Sequence, residues 1–564
     1  MTDRRGRVIL ALAVLLAAGT LTLRLADVDL FSSIAVGRWI LAHGQIPTTD
    51  PFSFASAGPF HFSEALSAVL FDLVDRAFGD RGLSVFLVVL SSVTLTLVVL
   101  RTHGSVAARA LVVGLVVAGS HASMALKAQI FSYVLFAGLL LFLERAPKHP
   151  PRRLLWLPLL FVAWGNLHRG GVFGVVVVGV AALGLWLDPA TRAHARMLLV
   201  ALPLCLLGLA TNRAGFYYVT SAFDVLGRAS FHERIKEWQP LTAKLLFERH
   251  AAIVPLVLLA VGERALRGRK IDPEILIVAA SIALATRGAR LLPFVAIAAA
   301  PAAVRALDAL RARALPRARA SVVDTLFLVL AAAVPVAHYE LNVPSGYRGL
   351  GVFEGEVPVD LAGFLRANRP PGHLFHSFDF GGYLLYALAP ETKVLIDGRN
   401  DTVYDDAHFE AVTDAERSPV AFAALDRRYA FAVAAFKWGH PGDARGAFLA
   451  GNPDWALVYW DDLSTVYAHR GRAPELAARL GYRALRVDSA FARAKEPTGG
   501  PGDALFVSDL ERNAREAPRS ARAHYLLAMA RRARGDEDGA RQEAVLVAEI
   551  ADAKGFAFAP PLTQ

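Results

Sequence analysis

The feature that most constrains this chain is a series of apolar runs, each close to the length a helix needs to cross a lipid bilayer. Val8 to Leu23, Leu83 to Leu100, Val172 to Leu187 and Leu291 to Val304 are examples, separated by short clusters rich in Arg, Pro and Gly. About 20 helical residues span the hydrocarbon layer, where every backbone polar group must be satisfied internally. Composition agrees, since 55% of the 564 residues are hydrophobic and the mean hydropathy is +0.40. Soluble domains stay near roughly 45–50% apolar. The formal net charge of +10 sits in loops between the runs, without the aromatic interleaving of a nucleic-acid surface. Cys205, the only cysteine, excludes an intramolecular disulfide and a thiolate zinc site.

Arg4, Arg5 and Arg7 precede the first run and set the N-terminus in the cytoplasm. Small residues at Ala17, Ala18 and Gly19 allow a cleavable signal peptide, but the run continues through Leu23, which favours a retained span. The Arg-rich segments 101–109, 145–153, 188–196, 262–272 and 305–319 fall on one side of the membrane if His61 to Phe78 does not cross. In that segment Phe62, Ala65, Leu66, Val69, Leu70, Leu73, Val74, Ala77 and Phe78 form a helical stripe, with Glu64, Asp72, Asp75 and Arg76 elsewhere. It reads as a juxtamembrane helix in an outer loop, residues 26–81, because a carboxylate at mid-bilayer is costly. About eleven spans follow, near 7–25, 82–100, 109–121, 129–144, 154–165, 171–187, 197–211, 251–262, 273–286, 290–304 and 321–338. An odd number puts the C-terminal end outside the cytoplasm.

The expected architecture is a polytopic α-helical membrane domain, residues 1–340, a soluble α/β domain, residues 341–470, and a helical tail, residues 471–564. The α/β pattern has helices at Val359 to Ala367 and Gly382 to Leu388, strands near His373 to Phe378, Lys393 to Ile396 and Phe431 to Phe436, and a hairpin from Trp455 to Ala468. Gly381-Gly382-Tyr383 and Asp397-Gly398-Arg399 read either as turns at strand ends or as a cradle for a phosphate or sugar. In the tail, Ala523 to Ile550 resembles a single tetratricopeptide unit, which serves either as a packed appendage or as a partner-docking module.

This topology gathers the unusual polar residues on the outer face: Asp27, Asp29, Asp50 and Glu64, then Lys127 and Gln129, then Asn166, His168 and Arg169, then Glu233, Glu237 and Trp238, then Arg287 and Arg290. Singly, each has a plain structural reading as a cap, a headgroup anchor or an interfacial belt residue. Together with the first-loop helix and the outer C-terminal domain, they resemble the GT-C superfamily of membrane glycosyltransferases, which use polyprenyl-phosphate sugars. Asp27-Val28-Asp29-Leu30, Gly37-Arg38-Trp39-Ile40, Gly44 to Pro47, Asp50-Pro51-Phe52-Ser53, Trp164 to His168, Glu237-Trp238-Gln239, Phe380 to Leu384 and Ile396 to Arg399 resemble a group of bacterial membrane proteins of this type. That group has two aromatic residues and a histidine after the acidic pair, where this chain has Phe31, Ser32 and Ser33, and Glu-Trp-Leu where it has Glu64-Ala65-Leu66.

The resemblance implies Asp27 or Asp29 as the base that takes the acceptor proton. Arg287 and Arg290 are the phosphate-clamp candidates by charge and depth, with His168, Asn166, Glu64 and Glu237 as further substrate contacts. Hard carboxylate ligands leave magnesium or manganese open as a cofactor. Nucleotide sugars are cytoplasmic, so an outward-facing cavity implies a donor carried in the membrane, a polyprenyl-phosphate sugar, and an envelope acceptor. The reading is therefore a bacterial inner-membrane glycosyltransferase. Its rivals are an envelope scaffold docking a protein partner through the C-terminal helices, and a transporter, for which no internal repeat is visible.

Overall fold

A computed structural model describes residues 4–56, 60–227, 239–267, 272–314, 320–399, 403–438, 445–496 and 502–555. Its N-terminal part is a bundle of apolar helices: α1 (Arg4–Gly19), α2 (Val28–His43), α3 (Ala65–Arg101), α4 (Val106–Ser120), α5 (Gln129–Arg145), α6 (Leu157–Leu167), α7 (Gly171–Trp186), α8 (Arg192–Leu209), α9 (Tyr217–Gly227), α10 (Ala243–Arg249), α11 (Ile253–Arg267), α12 (Pro273–Ala285), α13 (Leu292–Ala314) and α14 (Ala320–Asn342). Among the described residues six helices are long and apolar enough to cross a membrane, and seven if α10 and α11, bent by 106°, count as one broken span. α7 and α12 are shorter apolar helices. The expected eleven crossings therefore depend on counting these together with α1 and α6.

The first span, expected to reach residue 25, ends at Gly19. The hydroxyls of Thr20 and Thr22 bond back to the carbonyls of Ala17 and Gly19, and the chain then pairs with a later segment through Arg24 N to Tyr347 O and Leu25 N to Gly351 O. The juxtamembrane helix is the first part of α3, set off from the rest by a non-helical break at Gly79. Its charged side faces inward: Asp72 is fully buried and pairs with Arg76 at 2.7 Å and Arg38 at 3.5 Å. Leu66, Leu73 and Phe78 are exposed large apolar side chains, and Arg76 is exposed beside them.

Segments that share the Arg-rich side bind one another. Arg101 meets Glu144 at 2.7 Å, Ser105 Oγ donates to Asp308 at 2.6 Å, His194 reaches the His149 carbonyl at 2.9 Å, and Arg305 pairs with Glu263 at 2.9 Å and Glu274 at 2.7 Å. The other end of the bundle carries the C-terminal layer.

That layer holds α15 (Val359–Asn368), β1 (His373–His376), α16 (Gly381–Leu388), α17 (Asp406–Ala415), α18 (Pro419–Tyr429), β2 (Phe431–Lys437), β3 (Trp455–Trp460) and β4 (Ser464–His469). The sheet order is β1-β2-β4-β3, with β1 parallel to β2 and the other pairs antiparallel. The expected strand at Lys393 to Ile396 does not join this sheet. Val394 instead bridges Ser53 of the first loop, and the Leu395 amide donates to His376 Nε2 at 3.0 Å. Phe52, Phe60 and Phe62 of the first loop share one core with Leu374, Leu384, Val394 and Val458.

Arg399 fastens this contact. Its guanidinium is buried, bonds Asp397 at 2.6 Å and Asp50 at 2.7 Å, and lies over Phe52 and Phe60. The Asp397-Gly398-Arg399 segment is thus a clamp on the first loop, with its cation engaged by carboxylates. Gly381 and Gly382 allow a second close approach, since a Cβ there would lie 1.8 Å from the Ile396 carbonyl oxygen and 2.2 Å from that of Val28.

The helical tail, α19 (Pro474–Leu480), α20 (Ala490–Lys495), α21 (Asp503–Glu516), α22 (Ala521–Ala533) and α23 (Glu537–Lys554), is packed on the sheet layer. Arg522 lies 3.7 Å over the Trp460 ring. Lys554 Nζ bonds Asp360 at 2.9 Å, and its carbonyl accepts from Arg24 at 2.9 Å.

Arg399→Ala is expected to lower stability by about 3–5 kcal/mol, because it strands two buried carboxylates. Thermal unfolding in detergent checks this, with Arg38→Ala, whose cation is more exposed, expected to cost less. Burial alone would raise the Asp397 carboxyl, but Arg399 and the bonds it makes hold it below its ordinary value. The stabilisation is therefore present above the unfolded carboxylate pKa of about 3.9 and is lost as pH falls through the lower folded value.

Candidate functional site

Asp27 caps α2 in extended backbone geometry, its carboxylate accepting the Asp29 amide at 3.0 Å, as acidic N-caps do. Its second oxygen pairs with Lys127 Nζ at 3.1 Å. Lys127, only 5% exposed, lies in the turn before α5, where an unpaired ammonium would be costly. Two residues on, Gln129 opens α5 and grips Arg290. Arg290 Nε donates to Gln129 Oε1 at 2.9 Å, while Gln129 Nε2 donates to the Arg290 carbonyl at 3.0 Å. Tyr133, one turn later, donates to the same carbonyl at 3.1 Å.

Glu64, just before α3, and His168, just after α6, share one set of cations. Burial pushes the Glu64 carboxyl above its ordinary value against the pull of Arg169, Arg290 and Lys127. Burial, with Arg290, Arg169 and Lys127 beside it, holds the His168 imidazole well below its own. Asp27, Glu64, Lys127, His168, Arg169 and Arg290 thus form one connected group. Arg290 also lines a cavity of about 1080 Å³ between the bundle and the sheet layer, with Ser123 and His250 on one wall and Asp379, Lys437 and Arg445 on the other.

Other candidates lie apart from this group. Asp29 abuts the second layer, where a Cβ on Gly398 would lie 2.2 Å from its Oδ1. Arg287 is exposed, its amide bonding the Leu284 carbonyl. Asn166 donates back to the Val162 carbonyl at 2.9 Å. Glu237 lies outside the described residues, as do Glu233 and Trp238. Lys127 and Arg169, which stand among the outer-face polar residues of the sequence but are assigned no catalytic or binding role there, belong to the group. The available signal was that Lys127 stands alone in a long apolar stretch.

Asp27 meets a cation, Lys127, and the Asp29 amide. Among the described residues no group of three or more His, Cys, Asp or Glu is arranged to hold a metal.

No family model matches the chain, and no curated protein matches it. Solved structures do. The crystal structure of ArnT from Cupriavidus metallidurans bound to undecaprenyl phosphate aligns with a TM-score of 0.51 at 14% identity, over 83% of this chain and 98% of that one. The cryo-EM structure of the arabinofuranosyltransferase AftD from Mycobacteria aligns with a TM-score of 0.52 at 14% identity, over 91% of this chain. The chain shares its fold with these two proteins. It spans 43% of the length of AftD, and at these identities the likeness is one of fold. Within this fold, the connected group lies at the end of the bundle that carries the α/β layer.

A charged Glu64 costs the folded protein stability once pH exceeds the unfolded carboxylate pKa of about 4.3, because its folded pKa is the higher one. Glu64→Gln is therefore expected to melt at or above the wild-type temperature at about pH 7.5, with the gap closing below about pH 4. Thermal unfolding at the two pH values reads the difference.

Proposed function

We propose that the chain is a bacterial inner-membrane glycosyltransferase that moves a sugar from a polyprenyl-phosphate carrier to a cell-envelope acceptor on the outer face. The observation that carries this reading is the convergence of Lys127, Arg169 and Arg290 with the carboxylates Asp27 and Glu64 beside a large cavity in a GT-C fold. Direct displacement at a sugar needs a base for the acceptor hydroxyl and cations for the departing phosphate. Lys127, Arg169 and Arg290 are the phosphate contacts. Asp27 is the base, because it touches the cation group through Lys127, whereas Asp29 turns toward Gly398.

Arg290 lines both the cation group and the cavity beneath the α/β layer, so the lipid-borne phosphate meets the acceptor there. In this reading the bundle crosses the membrane eleven times, with the N-terminus in the cytoplasm and the α/β layer and helical tail outside.

Deletion of the protein followed by mass spectrometry of envelope glycans tests the activity. A glycan lacking one sugar is the expected result, restored by the wild type and by Asn166→Ala. Asp27→Asn and Arg290→Ala are expected to restore less than about a hundredth of the modification. Full rescue by Asp27→Asn would remove Asp27 as the base. Unchanged glycans with a failure of envelope assembly would favour a scaffold.

A further inference from the structure

His168 follows α6 with its imidazole held at one nitrogen by two donors. Trp164 Nε1 lies 2.8 Å from Ser132 Oγ, Ser132 Oγ lies 2.7 Å from His168 Nδ1, and the Gly170 amide lies 3.0 Å from the same Nδ1. An indole N–H can only donate. Ser132 Oγ therefore accepts from Trp164, and its own proton points to His168 Nδ1, which also accepts from Gly170. A nitrogen that accepts two hydrogen bonds carries no proton, so the ring proton is on Nε2. Nε2 makes no hydrogen bond to any described residue.

The surroundings are built for this arrangement. Ser132 and Trp164 are fully buried, so neither donor is easily exchanged for water. The His168 carbonyl accepts from Tyr218 at 2.7 Å and its amide donates to the Trp164 carbonyl at 3.0 Å, which fixes the backbone. A Cβ on Gly170 would lie 2.4 Å from Ser132 Oγ and 2.9 Å from His168 Nδ1, so a side chain there would break the contact. Charging the ring would place a proton on Nδ1 facing the Gly170 N–H and would turn Ser132 Oγ from donor to acceptor toward the ring, leaving its own proton without this partner. The charged groups around the ring are Arg290, Arg169 and Lys127, with Glu64 among the same cations.

We infer that Trp164 and Ser132 are positioning residues that lock His168 as the neutral Nε2–H tautomer, so that His168 offers a hydrogen-bond donor, and not a base, to an oxygen of the bound donor. This rests on the glycosyl-transfer reading for the identity of the ligand, a phosphate or sugar oxygen. The lock itself follows from the hydrogen bonds. It removes His168 from the proton-transfer step and leaves that step to a carboxylate.

The test is solid-state NMR of the full-length protein in lipid bilayers with ¹⁵N-labelled histidine rings, the His168 signals being those absent from His168→Asn. The expected result is an unprotonated Nδ1 and a protonated Nε2 from about pH 5.5 to 8, with Ser132→Thr, which keeps the hydroxyl, unchanged. In Ser132→Ala the charged ring appears at higher pH than in the wild type. An unprotonated Nε2 or a charged ring at about pH 7 in the wild type overturns the lock, as does an unchanged titration in Ser132→Ala. In a transfer assay His168→Leu is expected to lower kcat about 10²-fold, while His168→Gln, which keeps an N–H donor, stays within about tenfold of wild type. Equal loss in both variants overturns the donor role. A locked tautomer whose Nε2 resonance ignores added polyprenyl phosphate would leave the lock standing and count against the transferase reading.

Discussion

The ion pair between Arg399 and the carboxylates of Asp50 and Asp397 holds the site's architecture in place. Asp50 belongs to the loop that leads from α2 to α3, and Arg399 belongs to the α/β layer, so the pair ties together segments 349 residues apart. Asp27 and Glu64 stand at the two ends of that stretch, one capping α2 and the other preceding α3. Their positions follow from how firmly the loop between them is pinned, and a buried guanidinium bonded to two carboxylates is specific in direction as well as strong.

The two ends of the bundle solve the same problem differently. Charges near lipid must be paired or hydrated. At the Arg-rich end the pairing is close to mutual: Arg305 takes Glu263 and Glu274, Arg264 takes Asp272 and Glu274, and Arg101 takes Glu144. At the other end Lys127 pairs with Asp27, Arg290 is held by Gln129, and Lys127, Arg169 and Arg290 lie around Glu64, whose charge burial works against.

Much of the fold was legible in the sequence because lipid imposes one simple rule, a run of apolar residues for each crossing. The apolar runs are helical over most of their length, the first stopping at Gly19, and the Arg-rich segments assigned to one side do bind one another. What escaped depended on contacts far apart in sequence. Lys393 to Ile396 is apolar and reads as a strand, but its partner is Ser53 in the first loop rather than the sheet. The carboxylates of α3 look solvated in a helical wheel, yet Asp72 is buried because Arg38 of α2 and Arg76 reach it. In the site, Glu64, His168 and Arg290 were visible as polar residues at helix ends. Ser132 was not, since a serine within an apolar helix carries no signal until its hydrogen bonds are known, and Trp164 was marked only within the Trp164 to His168 stretch of the resemblance.

The small residues Ser32 and Ser33 have a packing consequence. Both are buried, and Ser32 faces α16. Gly382 comes so close that a Cβ on it would lie 2.2 Å from the Val28 carbonyl oxygen and 3.1 Å from Ser32 Oγ. Phe31, the aromatic residue retained, already fills the neighbouring space, edge-on to Tyr383 with ring centroids 5.0 Å apart. A large ring at position 32 would have to displace α16, and with it the Asp397-Gly398-Arg399 clamp that packs against the start of the same helix. Small residues on α2 and glycine on α16 are therefore one solution to one contact.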